Sequence, residues 1–273
     1  MASFSQIIFG SMITLIVLFS AIIILILALS LSGTLSQVIS TNTLPVANLG
    51  EDQLLSCFLN TKSQPAGLTD VSVTWEKKGL TGTVYLYQNG APDLANQNSQ
   101  FKGRTQLFLD ALTTGNASLL LRGVTLGDEG EYTCSISSSG GGGNVNIYLR
   151  TAAFSAPTFK FTNGTLAAEA TRWFPKPNVT WSNYGGVVLR GSTSFTSNSA
   201  GIFGVVSTLQ SINVSDTYTC TIENYLVTSI SKATVTDTGV SGNTYFIYSA
   251  ASSLLVSTYL SMTTSVLHIY YLT

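Results

Sequence analysis

Three cysteines and one histidine are the side chains of this 273-residue chain with the widest chemical range. Thiolates and imidazoles together bind zinc, and a thiol beside a histidine can act as a nucleophile. The histidine, His268, lies in an uncharged apolar run near the end of the chain, so neither a zinc site nor a histidine-dependent catalytic centre is expected. The chemistry left for Cys57, Cys134 and Cys220 is disulfide formation, which leaves one thiol over in an oxidised protein.

Cys134 ends a motif that predicts how two of these thiols are used. The stretch from Asp128 to Cys134 reads Asp-x-Gly-x-Tyr-x-Cys, with Tyr132 two residues before the cysteine on the same strand face. Cys57 lies upstream, and Trp75 lies between the two cysteines. Cys…Trp…Cys in this order is typical of an immunoglobulin-like β-sandwich, in which the cysteines bridge the two sheets and the tryptophan packs on the bridge. We therefore predict a Cys57–Cys134 disulfide with Trp75 and Tyr132 in the core.

The strands that would position this motif lie between residues 37 and 150. Alternating apolar residues predict strands B at 50–57, C at 71–76, C′ at 84–88, D at 101–108, E at 116–121, F through 136 and G near 145–149. The long interval between the two cysteines leaves room for the extra C′ and C″ strands of a variable-type domain. Arg104 and Asp128 are placed to form an ion pair at one end of this sandwich; two unrelated solvated charges are the alternative.

A serine- and glycine-rich run, 137–143, would connect strands F and G. It could form a binding loop, because loops of this kind gather at one end of a sandwich. We favour a floppy hairpin connection instead, because the glycines at 140–143 raise the entropic cost of ordering.

A second, constant-type sandwich is predicted at residues 157–237, after a short link. The stretch from Asp216 to Cys220 repeats the motif in shorter form, and core positions are predicted for Trp181 on strand C and Tyr218 on strand F. Ala168 stands where strand B would offer a partner for Cys220. An intermolecular disulfide is one use for this thiol; strand alternation favours a buried, unpaired thiol. This domain should be the less stable half, because losing such a bridge costs about 2–5 kcal/mol.

Both ends of the chain are apolar and uncharged. Residues 1–32 read as a cleaved signal peptide, favoured by the small residues near their end, or as an uncleaved anchor. Residues 245–272 read as a transmembrane helix, which we favour, or as a glycolipid-anchor signal. The predicted fold class is all-β, with a variable-type and then a constant-type immunoglobulin-like sandwich and apolar helical segments at both ends. The expected location is the plasma membrane, single-pass type I or glycolipid-anchored, with an extracellular ectodomain.

Four Asn-x-Ser/Thr sequons predict glycosylation in such a location, at Asn116, Asn163, Asn178 and Asn213. Composition excludes other classes of function. Charged residues make up 9% of the chain and the net charge is -1, so nothing favours nucleic-acid binding. The sequence contains no nucleophile–base set, metal cluster or phosphate loop, so we expect no enzyme, no cofactor and no small-molecule substrate.

Several stretches together resemble the butyrophilin-related T-cell co-signalling ligands, over the whole ectodomain and in its domain order. They are Gly50–Cys57, Phe101–Thr105, Gly115–Leu119, Asp128–Cys134 and Arg172–Pro177. The sequence departs from that family at Ala168, where the family has a cysteine, and at glycines 140–143. The resemblance implies a cell-surface glycoprotein that binds a receptor of unknown identity on the surface of T cells and restrains T-cell activation, proliferation and cytokine production. A homophilic adhesion molecule is the alternative.

In this family the receptor usually meets the outward face of the first domain's front sheet. Strand alternation places six residues on that face: Thr74, Glu76, Thr133, Ser135, Asn146 and Tyr148. We name them the front face. Tyr148 is the best candidate for an anchor, because exposed aromatic side chains often dominate interfaces. An ordinary strand tyrosine is the alternative.

Overall fold

The computed structural model describes residues 4–31, 37–60, 67–237 and 239–249. An apolar helix, α1, spans Phe4–Leu31 and has no charged residue in its terminal turns. The side chains of α1 are described from residue 12 to residue 26. Over the residues whose side chains are described, no helix has a stretch that is both long enough and apolar enough to cross a membrane. The signal peptide or anchor at residues 1–32 stays a prediction.

Nine strands of two to six residues and two longer ones, β10 and β11, form the first sandwich. They are β1 (Gln37–Ile39), β2 (Val46–Asn48), β3 (Gln53–Leu55), β4 (Phe58–Asn60), β5 (Ser72–Lys77), β6 (Tyr85–Gln88), β7 (Ala91–Pro92), β8 (Thr105–Leu107), β9 (Leu119–Leu121), β10 (Gly130–Ser138) and β11 (Gly141–Ala152). One α-helical turn, α2, covers Leu109–Leu112, and 3-10 turns cover Ser99–Phe101 and Leu126–Asp128.

The sheets of the first sandwich have the variable-type order. The larger sheet runs β2-β11-β10-β5-β6-β7, with β2 parallel to β11, and the smaller sheet runs β3-β9-β8. A separate pair joins β1 and β4. Strands β6 and β7 are the extra C′ and C″ strands of a variable-type domain. The predicted fold of this half is confirmed.

Two predicted strands are shorter than expected. Strand B is broken at Ser56 and Cys57, which separate β3 from β4. The prediction of strand D over 101–108 was wrong at its start, because the 3-10 turn takes Ser99–Phe101 and the strand covers only Thr105–Leu107. Asn98 caps this turn by accepting a hydrogen bond from the Gln100 backbone N–H at 2.9 Å, and asparagine favours this position because its side-chain oxygen satisfies a free N–H.

The second sandwich packs a four-stranded sheet, β12-β13-β17-β16, on a five-stranded sheet, β15-β14-β18-β19-β20. Its strands are β12 (Thr158–Thr162), β13 (Thr165–Trp173), β14 (Asn178–Asn183), β15 (Val188–Leu189), β16 (Ser192–Ser197), β17 (Phe203–Gln210), β18 (Thr217–Glu223), β19 (Val227–Thr236) and β20 (Gly239–Tyr248). The buried faces of both sheets supply one hydrophobic core that includes Leu166, Trp173, Trp181 and Ile222. The expected all-β fold of this half is confirmed.

Strand β20 was not predicted, since the second sandwich was expected to end at residue 237. It pairs antiparallel with β19 from Val227↔Tyr248 to Thr236↔Gly239. The predicted carboxy-terminal helix therefore does not begin at Tyr245, because Tyr245 to Tyr248 belong to this strand. The rest of that prediction, residues 250–272, lies outside the described residues, as does His268.

The added strand changes where the chain leaves the second sandwich. One end of this sandwich carries the Asn163–Gly164 turn, to which the Ile212 N–H is hydrogen-bonded at 3.2 Å. Strand β20 runs away from that end, and the Ser249 N–H donates to the Leu226 carbonyl at 2.9 Å at the opposite end. Phe154, just before the first strand, contacts Phe246 with ring centroids 5.1 Å apart. The chain thus leaves at the end where it entered.

By compactness, the chain divides into two units, one of Met1–Thr41, Leu54–Leu120 and Tyr132–Ile147 and one of Asn42–Gln53, Leu121–Glu131 and Tyr148–Thr273. The predicted domain boundaries at 37–150 and 157–237 stay predictions.

Candidate functional site

The motif in the first sandwich is centred on a disulfide. Cys57 and Cys134 are bonded and fully buried. Trp75 lies beside the bridge, because it pairs with Cys134 in the register between β5 and β10. Its indole N–H donates to the Ala117 carbonyl at 3.0 Å, and the Cys57 N–H donates to the Ser118 hydroxyl at 3.1 Å. The polar groups near the bridge are therefore satisfied, which is a condition for burying them at low cost.

Tyr132 is also fully buried, as predicted from its place two residues before Cys134. Its ring meets Phe101 edge-on, with centroids 6.2 Å apart, and the Lys77 ammonium lies 5.7 Å from its centroid. The 3-10 turn that shortens strand D thus places the Phe101 side chain in this core.

Asp128 lies in the last turn before β10 and is fully buried. Its carboxylate accepts hydrogen bonds from the N–H and the hydroxyl of Thr125, at 2.7 and 3.0 Å. A capping box therefore holds the turn that leads into the motif. Arg104 donates to the Gln100 carbonyl at 3.1 Å. The ion pair between Arg104 and Asp128 stays a prediction.

The motif in the second sandwich keeps its cysteine without a bridge. Cys220 is a free thiol, fully buried, and it pairs with Trp181 in the register between β14 and β18. Ala168 is buried in the same core. Burial raises the pKa of the Cys220 thiol to about 12. A neutral, enclosed thiol is a poor nucleophile. The structure therefore favours a buried, unpaired thiol over an intermolecular disulfide.

A chain of two hydroxyls, from Ser207 and Thr193, lies beside Trp181. The indole N–H of Trp181 donates to the Ser207 hydroxyl at 2.8 Å, and the Thr193 hydroxyl lies 2.8 Å from the same oxygen. Ser207 is fully buried. In the first sandwich the corresponding indole N–H is satisfied by a backbone carbonyl, so the second core relies on side chains for the same task.

Tyr218 shows what the tyrosine of this motif does. Its ring is buried, and its hydroxyl accepts a hydrogen bond from the Asn213 backbone N–H at 3.1 Å. The hydroxyl in turn lies 3.4 Å from a carboxylate oxygen of Asp216. A strand-F tyrosine that bonds to backbone a few residues upstream is the tyrosine corner of immunoglobulin-like folds.

The front-face residues lie on strands β5, β10 and β11. Glu76 pairs with Thr133, and Thr74 with Ser135. Glu76, Asn146 and Tyr148 are exposed, Tyr148 by 44% of its surface, whereas Thr74, Thr133 and Ser135 are half-buried. Along β11 the exposed residues alternate with the buried Ile147 and Leu149. A polar strand surface with one exposed aromatic ring is the result.

Sequence reasoning missed one member of this surface. Leu86 on β6 pairs with Thr74 and is half-buried, so it extends the surface by one strand. The predicted C′ strand contained the signal, because Leu86 alternates there with Tyr85 and Tyr87, which pair with the inward Trp75 and Val73. Between β10 and β11, the Thr133 hydroxyl donates to the Asn146 side-chain oxygen at 3.0 Å. That bond fixes the Asn146 amide with its N–H groups directed away from Thr133.

The connection between strands F and G is a short hairpin turn, and its flexibility stays a prediction. Strand β11 begins at Gly141, so three of the four glycines are inside it. The Ser139 N–H donates to the Thr69 carbonyl at 3.0 Å, which ties the turn to the neighbouring loop. A Cβ at Gly142 would lie 2.5 Å from the Ile136 carbonyl oxygen. Glycine is required at Gly142 for this close backbone approach.

Three of the four sequons offer exposed asparagines, all in the second sandwich: Asn163, Asn178 and Asn213. Asn163 has a left-handed backbone with φ 50°, in the turn between β12 and β13. Asn116 is half-buried, and its side-chain oxygen accepts from the Ser118 N–H at 3.0 Å. Glycosylation at the four positions stays a prediction.

Among the described residues, no three histidine, cysteine or acidic side chains are grouped as they would be around a metal ion. The front face is an open strand surface, on which a macromolecule can be recognised by contact.

Two family models match the chain. Residues 41–149 match the immunoglobulin V-set domain, and residues 160–232 match the Ig-C domain described as butyrophilin subfamily 3 member A2-like. The first match falls within the first sandwich, and the second match falls within the second sandwich and ends inside β19.

Among similar proteins, human V-set domain-containing T-cell activation inhibitor 1 is 35% identical over 98% of this chain and 97% of its own length. The rat protein of the same name is 38% identical over 88% of this chain and 87% of its own. The crystal structure of the human B7-H4 IgV-like domain is 36% identical, covers 42% of this chain and 96% of that chain, and superposes with a TM-score of 0.38.

Proposed function

We propose a function from the family of this chain, which belongs with V-set domain-containing T-cell activation inhibitor 1 in the immunoglobulin superfamily. The protein binds a receptor on T cells and restrains their activation. In this role it would lower proliferation and cytokine production. The names of its relatives, which describe inhibitors of T-cell activation, support inhibition rather than stimulation. Membership in this family, which is not a family of enzymes, confirms the expectation that the chain is no enzyme.

The front face carries the proposal. It combines an exposed aromatic ring, Tyr148, with polar groups on neighbouring strands. Tyrosine suits such a place because it offers a large, rigid contact area at a low entropic cost. Asn146 lies two residues before Tyr148 on β11. Its side-chain oxygen accepts a hydrogen bond from the Thr133 hydroxyl, which leaves its amide N–H groups as donors. Glu76 is the one charged member, so shape and hydrogen bonding would decide recognition more than net charge.

The second sandwich would serve as a glycosylated support. Its exposed sequons would place carbohydrate on this half and leave the front face of the first sandwich clear. We propose a plasma-membrane location with both sandwiches outside the cell. The membrane attachment itself is proposed from the apolar ends of the sequence.

The test displays the full chain on cells that also deliver a stimulus to T cells. Wild type should lower T-cell proliferation and cytokine release relative to cells without it. Tyr148→Ala should lose most of this effect, since an anchor in an interface contributes about 2 kcal/mol or more. Tyr225→Ala is the matched control, because Tyr225 is an exposed tyrosine of the second sandwich, and it should inhibit like wild type.

Surface display, measured with an antibody against a tag, must be equal for all three proteins. Wild type that leaves proliferation unchanged would count against inhibition. Equal inhibition by Tyr148→Ala and wild type would show that the receptor contact does not depend on Tyr148 and would contradict the front face as the binding site. A binding screen of the full chain against T-cell surface proteins would then identify the receptor.

A further inference from the structure

One end of the second sandwich carries a surface cavity of about 480 Å³. Its lining comes from the turn after β14, from the end of β15, and from the segment that connects β17 to β18. Sites that hold small ligands have volumes of about 300–1,000 Å³. The cavity is therefore large enough for a ligand.

The asparagine of a sequon lines this cavity. Asn213, in the triplet Asn213-Val214-Ser215, is exposed and forms part of the wall. An oligosaccharide on Asn213 would therefore start at the wall of the cavity. Asn163 and Asn178, the other two exposed sequon asparagines, do not line it.

Two hydrogen bonds hold Asn213, and a third joins their partners. The Asn213 backbone N–H donates to the Tyr218 hydroxyl at 3.1 Å, and its side-chain amide donates to a carboxylate oxygen of Asp216 at 3.2 Å. The Tyr218 hydroxyl donates to the same oxygen at 3.4 Å. Glycosylation replaces one of the two amide hydrogens, so one N–H remains to donate to Asp216. The first sugar would thus start from a fixed position, which lowers the entropic cost of placing it.

The side chains of the lining suit an uncharged sugar. Tyr184 is 90% exposed, so its ring is open to contact. The C–H groups on one face of a sugar ring are attracted to the negative face of an aromatic ring. Gln210, Arg190 and Asp216 supply hydrogen-bond donors and acceptors for hydroxyl and acetamido groups. Arg190 and Asp216 have opposite charges, which favours a neutral ligand over an ion.

A tight turn carries the Tyr184 ring. The Gly186 N–H donates to the Asn183 carbonyl at 3.0 Å, and the Val187 N–H donates to the Asn183 side-chain oxygen at 2.9 Å. Gly186 has φ 79°, which glycine adopts without strain. The backbone from which the ring projects is therefore fixed at the mouth of the cavity.

We propose that Asn213 carries an N-linked oligosaccharide whose first N-acetylglucosamine packs in this cavity against Tyr184. In the transfer, Nδ2 of Asn213 forms a bond to C1 of that sugar, the bond from C1 to the diphosphate of a lipid carrier breaks, and the amide loses one proton. The covalent link makes the packing intramolecular, so a weak contact between sugar and protein is sufficient to hold it.

Sugar packing rests on the proposed glycosylation of the second sandwich, but not on the receptor contact of the front face. It makes the sugar at Asn213 different from those at Asn163 and Asn178. The Asn213 sugar covers an exposed aromatic ring and stabilises the turn that carries it. It should therefore be harder for an enzyme to remove from the native chain.

The first experiment measures how fast each sugar is released from the native chain. The full chain is purified in detergent from cells that glycosylate it and is treated with a peptide N-glycosidase, which hydrolyses the sugar–asparagine link and leaves aspartate. Mass spectrometry follows the conversion at Asn163, Asn178 and Asn213, and rates from the denatured chain correct for local sequence. Native release at Asn213 should be slower by about twofold to tenfold, the range that one aromatic contact provides.

Variants of the ring test the contact directly. Tyr184→Ala should raise the release rate at Asn213 to that of the other two positions, whose rates should not change. Tyr184→Phe keeps the ring and should release as slowly as wild type. Tyr225→Ala is the matched control, because Tyr225 is an exposed tyrosine of the same sandwich that does not line the cavity. It should leave all three rates unchanged.

Hydrogen exchange of the full chain reads the protein side of the contact. Ser215→Gly destroys the sequon but keeps Asn213, and the left-handed backbone at Ser215, with φ 73°, suits glycine. The amides of the turn after Tyr184 should exchange faster by about twofold to tenfold in this variant, because the turn loses its sugar. Thr180→Val removes the sequon at Asn178 instead and should leave these amides unchanged.

Three results would overturn the proposal, each in a different way. An unmodified Asn213 in wild type would overturn it together with glycosylation at this position. Equal native release at three occupied positions would show that the Asn213 sugar extends into solvent, and glycosylation would stand. Slow release that persists in Tyr184→Ala would place the sugar away from this ring. The receptor contact is tested separately, by the T-cell assay with Tyr148→Ala.

Discussion

The two sandwiches place the same motif on strand F and stabilise it by different means. In the first, Cys134 is bonded to Cys57, and the neighbouring Trp75 donates to a backbone carbonyl. In the second, Cys220 faces a core that contains Ala168, and Trp181 donates to the Ser207 hydroxyl. The first core depends on a covalent link across the sheets, whereas the second depends on packing and a hydroxyl chain.

This difference teaches which parts of the motif the fold requires. The tryptophan, the tyrosine and a buried sulfur are present in both copies, but the bridge is present in one. A buried thiol can fill the position because cysteine packs as a small hydrophobic residue. The bridge is therefore an addition to a core that already forms, and its removal or restoration should act on one sandwich at a time.

Removing the bridge should have the largest effect. Cys57→Ala should lower the free energy of unfolding of the first sandwich by about 2–5 kcal/mol, because the unfolded chain is no longer cross-linked. Hydrogen exchange of the full chain, read on peptides from β10 and β18, separates the two halves. Protection should fall in β10 and stay unchanged in β18; an equal fall in both would show that the sandwiches do not unfold independently.

Restoring the missing bridge should produce a gain of nearly the same size. Ala168→Cys should pair with Cys220 and stabilise the second sandwich by about 2–4 kcal/mol. Thiol labelling in denaturant should find one free thiol in wild type and none in the variant. Ala167→Cys, one residue away on the opposite strand face, is the control and should show two free thiols. Two free thiols in Ala168→Cys would place these positions too far apart to bond.

Breaking the hydroxyl chain should cost less. Ser207→Ala leaves the buried indole N–H of Trp181 without its acceptor, so we expect a loss of about 1–3 kcal/mol in the second sandwich. Ser194→Ala, at an exposed serine on the neighbouring strand, is the matched control and should change stability little. Urea unfolding measures both. A Ser207→Ala loss no greater than that of the control would mean that the chain adds nothing to stability.

Over the range from pH 8 to pH 10, the smallest effect is that of pH on the second sandwich. The pKa of Cys220 rises from 9.0 to about 12 on burial. Above pH 9 the unfolded chain loses this proton while the folded chain keeps it, so stability falls by about 1.4 kcal/mol per pH unit until the folded pKa is reached. The free energy of unfolding of the second sandwich, measured by urea unfolding at pH 8, 9 and 10, should show this slope. Cys220→Ala should remove the slope. A slope that persists in Cys220→Ala would have another source.

Sequence reasoning predicted the features that depend on fixed spacing. The Cys57–Trp75–Cys134 arrangement, and its incomplete copy at Trp181 and Cys220, identified both sandwiches because this fold requires those side chains at those intervals. The start of strand D was wrong, although Asn98 offered a signal as a cap residue. Propensity over 101–108 favoured a strand, and the local side-chain hydrogen bond decided otherwise.

Strand β20 could not be predicted because its cause is non-local. Residues from Tyr245 onward read as the start of an apolar run, and a single chain offers no local sign that Val227–Thr236 provides a strand partner. The inward residues Phe246 and Val240 pack against the second core, a contact that depends on the finished sandwich. Tertiary packing overrides local preference in such a case.

Strand β20 also sets how this half of the molecule would respond to mechanical force. Since the chain enters and leaves the second sandwich at the same end, tension between Thr158 and Ser249 would load the hydrogen bonds between β19 and β20 one after another, beginning at Tyr248. Strands pulled in this geometry open like a zipper, whereas strands pulled from opposite ends must break their bonds together. The last strand should therefore yield first and lengthen the chain by about 3.3 Å for each residue released.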